Sequence, residues 1–393
     1  MDGAPLDGLT VVDLTHVLAG PYAAMTLGEL GARIIKVERP GEGDDSRAFP
    51  PFAEDGSSAY FATINRGKHS IALDLKDPGD LDLLHRMLAK ADVVLENYRP
   101  GTMERFGLGW DQIQTRHPHL VYGAVSGYGH TGPWAGKPAY DMVVQALGGV
   151  MSITGEKGRD PVRCGASIGD IVAGMFLVQG VLAALWDRER TGRGRKVDVG
   201  MLDSQLAIIE HAIAITDVTG TPPGPTGARH QSLAPFETYR ARDGLIVIAA
   251  GNNKLFAAAA HVLGLDDMPL DARFATNAAR VENVSMLKRR FETVLLDQPV
   301  DHWIALLEAA GVPCGPIADV AQTMAHPQIR ARNMLVDVEA EPGGRAFKAA
   351  GNPIKISGAP DPDTRPPAPS LDANRAEVLA WLQMMEKTAG PGQ

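Results

Sequence analysis

Cysteine is nearly absent: the 393 residues hold two, Cys164 and Cys314. That excludes a disulfide framework and makes a reducing compartment, the cytoplasm, the expected location. Positive charge is also short. Lys and Arg number 38 against 47 Asp and Glu, a net charge of −9, whereas a binder of phosphate backbones needs a cationic excess, so no nucleic-acid partner is expected. Met1-Asp2-Gly3-Ala4-Pro5 has neither a basic nor an apolar stretch, and no secretory signal is read there. The longest apolar run, Ile171 to Trp186, contains Gln179 and falls short of the roughly 20 residues that a membrane span needs, so no membrane partner is expected. What remains is 45% hydrophobic and 22% charged, which places the chain among soluble globular proteins of two or three domains.

The first third alternates apolar runs with helical stretches. Leu9–Leu14, Arg33–Val37, Ser70–Leu73, Val93–Leu95 and Leu120–Val125 read as strands, and Pro21–Leu30 and Leu81–Leu88 as helices between them. Alternation of this kind predicts a parallel sheet covered on both faces. A long helix is expected over 171–189, a strand at 197–199 and a helix over 201–215. The Pro/Gly stretch 220–227 then marks a linker or an extended crossing. Beyond it come a strand at 245–250 and helices at 253–263, 284–296 and 300–310. A final helix is expected near 373–386, followed by a loose tail over 388–393.

Several phosphate-cradling and nucleophile motifs are missing. The turn after the first strand, Thr15-His16-Val17-Leu18-Ala19-Gly20-Pro21, is not G-x-G-x-x-G, and neither a Walker A motif nor a G-x-S-x-G elbow occurs. Nicotinamide, flavin, P-loop and serine-hydrolase chemistry therefore lack their signatures. His117-Pro118-His119 has no carboxylate at ligand spacing and reads as a solvated loop rather than a metal site. The basic run Arg188 to Lys196 suits a helix C-terminus.

The informative segment is Arg163-Cys164-Gly165-Ala166-Ser167-Ile168-Gly169-Asp170-Ile171, a Gly-rich loop leading into the long helix. Asp170 falls at the N-cap position. It can be a cap, worth about 1 kcal/mol, or a carboxylate nucleophile that the helix N-terminus keeps ionised. Spacing alone leaves both open.

Over nearly the whole chain, from Pro5 to about Pro367, the sequence resembles the class III CoA-transferases. The strings that carry the resemblance include Asp13–Pro21, Gly31–Glu38, Gly43–Arg47, Asn65–Lys68, Glu96–Gly101, Ser126–Pro133 and Gly311–Pro316. The resemblance implies that Asp170 is the catalytic residue and that His16, Arg39, Leu73, Lys76, Asn97, Tyr98 and Arg105 bind coenzyme A, with Lys137 near a further cationic contact. Without a P-loop the CoA phosphates need Arg and Lys, and Arg39, Lys76 and Arg105 flank strand ends, where a doubly wound sheet binds ligands. The implied fold is α/β: a Rossmann-like doubly wound parallel sheet in a large domain (1–220), a smaller α+β domain (226–330), and a segment over 331–393 that crosses and returns to the large domain. Two chains would interlock as a homodimer. The substrates are CoA thioesters and carboxylic acids, and no metal or tightly bound cofactor is implied.

The same superfamily contains 2-methylacyl-CoA racemases, which use a Gly-His-Asp motif. Here that stretch reads Pro138-Ala139-Tyr140-Asp141, and a phenol is a poor base at neutral pH, so transfer is favoured over racemisation. A non-catalytic CoA binder is disfavoured because Asp170 is present. Leu18 and Phe49 stand where formyl-CoA transferases carry Gln and Trp, which argues against formate and oxalate. The texture is closest to succinyl-CoA:dicarboxylate transferases with acceptors such as glutarate. A second carboxylate would need a cation, for which Arg47, Arg163, Arg229 and His230 are candidates. The expected chemistry is covalent, through an aspartyl-CoA thioester on Asp170, with backbone N–H groups such as that of Gly251 as oxyanion donors.

Overall fold

The computed structural model describes residues 3–340 and 346–388. From Ala389 onward the expected loose tail lies outside the described residues, as do residues 341–345 of the expected return segment.

Six short strands rich in Val and Ile form a parallel sheet. They are β1 (Thr10–Asp13), β2 (Arg33–Glu38), β3 (His69–Ala72), β4 (Val93–Glu96), β5 (Val121–Ser126) and β6 (Lys196–Gly200), in the order β3-β2-β1-β4-β5-β6. Alternate residues face opposite layers, and both faces are covered. Val11, Ile34, Val93 and Val121 pack against the helices Ala19–Glu29 and Ile168–Thr191. Val12, Ile35, Val94 and Tyr122 pack against Pro78–Leu88, Trp110–Arg116 and Arg375–Thr388. The Ile168–Thr191 helix is long and apolar enough to cross a membrane, yet Ala173, Leu177, Val181 and Ala184 lie in the sheet's core. The expected α/β doubly wound sheet is present.

The chain divides into two compact units. The first holds residues 1–150, 163–214 and 327–393, and the second 151–162 and 215–326. The chain thus passes between units within the Glu210–Thr219 helix, and the Pro/Gly stretch 220–227 lies in the second unit. Within that unit the antiparallel sheet of β7 (Phe236–Arg240), β8 (Leu245–Ala249) and β9 (Cys314–Pro316) packs on helices that contribute Phe256, Leu287, Phe291 and Trp303. A further small sheet in the first unit joins β10 (Leu335–Val338), β11 (Phe347–Ala350) and β12 (Thr364–Arg365). His117 departs from the expected solvated loop. It is buried, and its Nε2 lies 3.2 Å from Nδ1 of buried His85. Among the described residues no group of three His, Cys, Asp or Glu is placed to hold a metal ion.

Candidate active site

The strand order reverses between β1 and β4, the point at which a doubly wound sheet opens a crevice at its C-terminal edge. A cavity of about 440 Å³ lies there, lined by the turn after β1, the end of β2, the turn after β4, the end of β5, residues 137–140 and Asp170. The two central turns are tied together. His16 N–H donates to Asn97 Oδ1 (2.9 Å), and Asn97 Nδ2 donates to the His16 carbonyl (2.7 Å). The His16 and Tyr98 rings lie 5.4 Å apart. Burial holds the His16 imidazole below its ordinary pKa despite Asp44 and Asp45, so it is neutral at pH 7.

Beneath this turn lies a network of buried charges. Asp13 pairs with Lys68 (2.8 Å), and Lys36 pairs with Asp44 (2.8 Å) while donating to the Thr15 carbonyl (2.7 Å). Lys68 also donates to Asn65 Oδ1 and to the Pro21 carbonyl. Asp44 Oδ1 accepts the Val17 N–H (3.1 Å), and Val17 takes φ +69°. A β-branched residue in this region is strained by about 1–3 kcal/mol and persists only where its surroundings hold it. Here the hold is Asp44, fixed by Lys36 and Ser46. Burial works against both ionised partners. The carboxylates around Lys36 nevertheless keep it protonated, and Lys68 and Lys36 keep Asp13 ionised; burial brings Lys68 down to about 8.

Asp170 corrects the sequence reading in two respects. The N-cap of the long helix is Ser167, and Asp170 is the third helical residue. A Gly in the first turn masked the true start, because the Gly169 N–H is satisfied from elsewhere, by Asp141 Oδ1 at 2.8 Å. Nor does the helix terminus alone set the charge. Burial first, and the Asp141 carboxylate second, push Asp170 up to about 7. Near neutrality the group is poised between acid and nucleophilic anion.

Of the expected CoA residues, His16, Arg39, Asn97 and Tyr98 line the cavity together with Asp170 and Lys137. Lys137 lies over the Trp134 ring at 3.6 Å. Arg39 is exposed and paired with Asp45 and, at 3.5 Å, Glu42. Leu73 is instead a core residue, 2% exposed. Lys76 is exposed in the loop after β3, and Arg105 is exposed but donates to Thr102, which lines the cavity. The candidate carboxylate binders also separate. Arg47 is committed, with its guanidinium bidentate on buried Glu38 (2.8 and 2.7 Å), bonded to the Pro369 carbonyl and stacked on Phe61. Arg163 lies on the loop that delivers Asp170, 41% exposed and 3.8 Å from Asp141. Arg229, His230 and Gly251 belong to the second unit, where Arg229 donates to the carbonyls of His230 and Gln231. The sequence reading missed Tyr60. Burial first, then the charges of Asp170 and Asp44, hold its phenol up near 12, so it is neutral at pH 7, and its ring meets Phe49 edge-on at 5.6 Å.

Comparison with known proteins agrees with this geometry. The family model described as CoA-transferase family III matches residues 6–375. The chain is 46% identical to acetyl-CoA:oxalate CoA-transferase of Acetobacter aceti, over 95% of each protein. It is 38% identical to succinate–glutarate CoA-transferase of Agrobacterium fabrum, over 98% of each. A solved CAIB/BAIF family protein from Brucella suis superposes with a TM-score of 0.84 at 38% identity, covering 97% of this chain and 100% of that one. A crevice at the strand-order reversal, a poised carboxyl at its edge and this breadth of similarity converge on one assignment: the chain belongs to CoA-transferase family III and is a CoA-transferase that uses CoA thioesters as substrates.

Proposed function

We propose that the enzyme moves CoA from succinyl-CoA to a small dicarboxylate such as glutarate, through an aspartyl-CoA thioester on Asp170. The observation that carries this reading is the Asp170 carboxyl in the first turn of a long helix, lining the cavity at the sheet's switch point. The ionised carboxylate oxygen attacks the donor thioester carbonyl. The C–S bond breaks, CoA leaves as thiolate, and an aspartyl-acyl anhydride remains. The thiolate attacks the aspartyl carbonyl and releases the donor acid as carboxylate, leaving aspartyl-CoA. The acceptor carboxylate attacks this thioester and expels the thiolate, which then attacks the acceptor carbonyl of the new anhydride, forming acceptor-CoA and regenerating Asp170. Each exchange is divided into steps with lower barriers. His16, Asn97, Tyr98 and Arg39 would hold CoA at the rim, and Tyr60 would donate to oxygen at Asp170.

The dicarboxylate reading draws on the relatives named for succinyl-CoA with glutarate or mesaconate. The relative at 46% identity is named for oxalate, so the argument from Leu18 and Phe49 does not exclude oxalate, and the acceptor class includes it. Arg163 is the favoured partner for the distal carboxylate, because Arg47 is held by Glu38. Arg163→Ala is expected to lower kcat/KM for glutarate by roughly 10–100-fold, with a far smaller change for butyrate. Equal losses for both acids, or wild-type use of butyrate as efficient as that of glutarate, would count against it.

We also propose a homodimer. The Glu210–Thr219 helix has no buried residue, and Val218 is 83% exposed. Val320 and Trp186 are likewise 76% and 70% exposed. A second copy of the chain would cover the helix that has no buried residue of its own. Light scattering at micromolar concentration should give twice the 41.8 kDa chain mass; a stable monomer would contradict the proposal.

A further inference from the structure

Asp141 opens the Asp141–Leu147 helix at the cavity rim and is 9% exposed. One turn later Gln145 is fully buried. The two side chains hold both ends of the loop that delivers Asp170. Gln145 Oε1 accepts the Cys164 N–H (2.9 Å), and its Nε2 donates to both Asp141 oxygens (3.0 and 2.9 Å). Asp141 Oδ1 accepts the Gly169 N–H (2.8 Å). The approach is close enough that a Cβ at Gly169 would lie 2.9 Å from Asp141 Oδ1 and 2.7 Å from Val144 Cγ2, so only glycine fits before the nucleophile. The charged and titratable groups facing Asp141 are Asp170, Tyr60 and the Arg163 guanidinium, the last at 3.8 Å.

We infer that Asp141, braced by Gln145, is a positioning residue with two effects: its oxygen clamps the first turn of the nucleophile's helix at Gly169, and that clamp sets a second carboxylate beside the turn that carries Asp170. The inference rests on Asp170 being the nucleophile. The two effects can be separated, because asparagine keeps one acceptor oxygen for the Gly169 N–H and Gln145 Nε2 while losing the charge and the second bond from Gln145, whereas alanine loses all of them. Burial of Asp170 beside Asp141 pushes the nucleophile up to about 7; removing the neighbouring charge makes ionisation easier and moves its titration toward acid.

The experiment is the pH dependence of kcat/KM, which reports the free enzyme, for wild type, Asp141→Asn, Asp141→Ala and Asp170→Ala, with circular dichroism confirming the fold. The wild-type rate should rise with pH through about 7. Asp141→Asn should move that ascending limb roughly one unit toward acid. Asp141→Ala should show the same displacement with a rate lower by about 100-fold, the cost of a misplaced nucleophile, and Asn should recover much of that loss. An Asn limb that overlays the wild-type one, a wild-type profile flat across neutrality, or an Ala variant as fast as wild type would each overturn the inference. If Asp170→Ala itself turns over, the nucleophile assignment fails instead; if that variant is inactive while the Asn limb is unmoved, only the role of Asp141 fails.

Discussion

Asp170→Ala is expected to lose transfer by at least about 1,000-fold, the scale seen when a covalent nucleophile is removed, while still folding and binding CoA. Binding should survive because the groups at the CoA rim, His16, Asn97 and Tyr98, are held by one another and by the buried network rather than by Asp170. The stability effect has an informative sign. Asp170 is not the helix cap, so its removal forfeits no capping bond. Its carboxyl is held up at about 7 against an ordinary 3.8. A raised carboxyl pKa lowers folding stability as pH climbs from the unfolded value through the folded one, and the penalty is complete above neutrality. The alanine variant should therefore melt a few degrees higher than wild type at pH 8, with the advantage vanishing at pH 4. A melting temperature that falls equally at both pH values would mean that Asp170 is structural.

The second large effect concerns Lys36. Replacing it with methionine leaves buried Asp44, 1% exposed at its side chain, without its cation. Breaking one side of a buried pair costs about 3–5 kcal/mol, a large share of the roughly 5–15 kcal/mol that stabilises a domain. The melting temperature should drop by roughly 10 °C. The KM for acyl-CoA should rise, because the Val17 N–H loses a fixed acceptor and the strained turn beside His16 is released. Pairing Lys36→Met with Asp44→Asn removes both charges and should restore part of the stability. A Lys36→Met protein as stable as wild type would show that the network does not hold the turn.

How far the sequence reveals this protein depends on the range of the interactions. The strands β1 to β5 are legible because strands buried on both faces are continuous apolar runs. The strings that carry the family resemblance are legible for a reason their spacing does not disclose: Asp13, Lys36, Asp44, Asn65 and Lys68 meet in one buried cluster under the cavity. What stayed hidden depends on partners far apart in the chain. Asp141 reads as the Asp of a racemase-type motif, and nothing local shows that it accepts the N–H of Gly169, 28 residues later, in the first turn of a helix. Arg47 looks like a free cation until β2 brings Glu38 beneath it. Leu73 reads as a ligand contact, and nothing local shows that its side chain is held in the core. The short strands β7, β9, β10 and β11 have three to five residues of mixed pattern, too few for periodicity to mark.

The claim on which the rest depends is the covalent intermediate. The most direct measurement incubates the enzyme with succinyl-CoA, quenches with hydroxylamine, and reads the peptide containing Asp170 by mass spectrometry. An aspartyl-CoA thioester yields an aspartyl hydroxamate, so the account predicts that modification at Asp170, dependent on succinyl-CoA and absent from the Asp170→Ala protein. An unmodified Asp170 in enzyme that is turning over, or a hydroxamate on a different carboxylate, would contradict it.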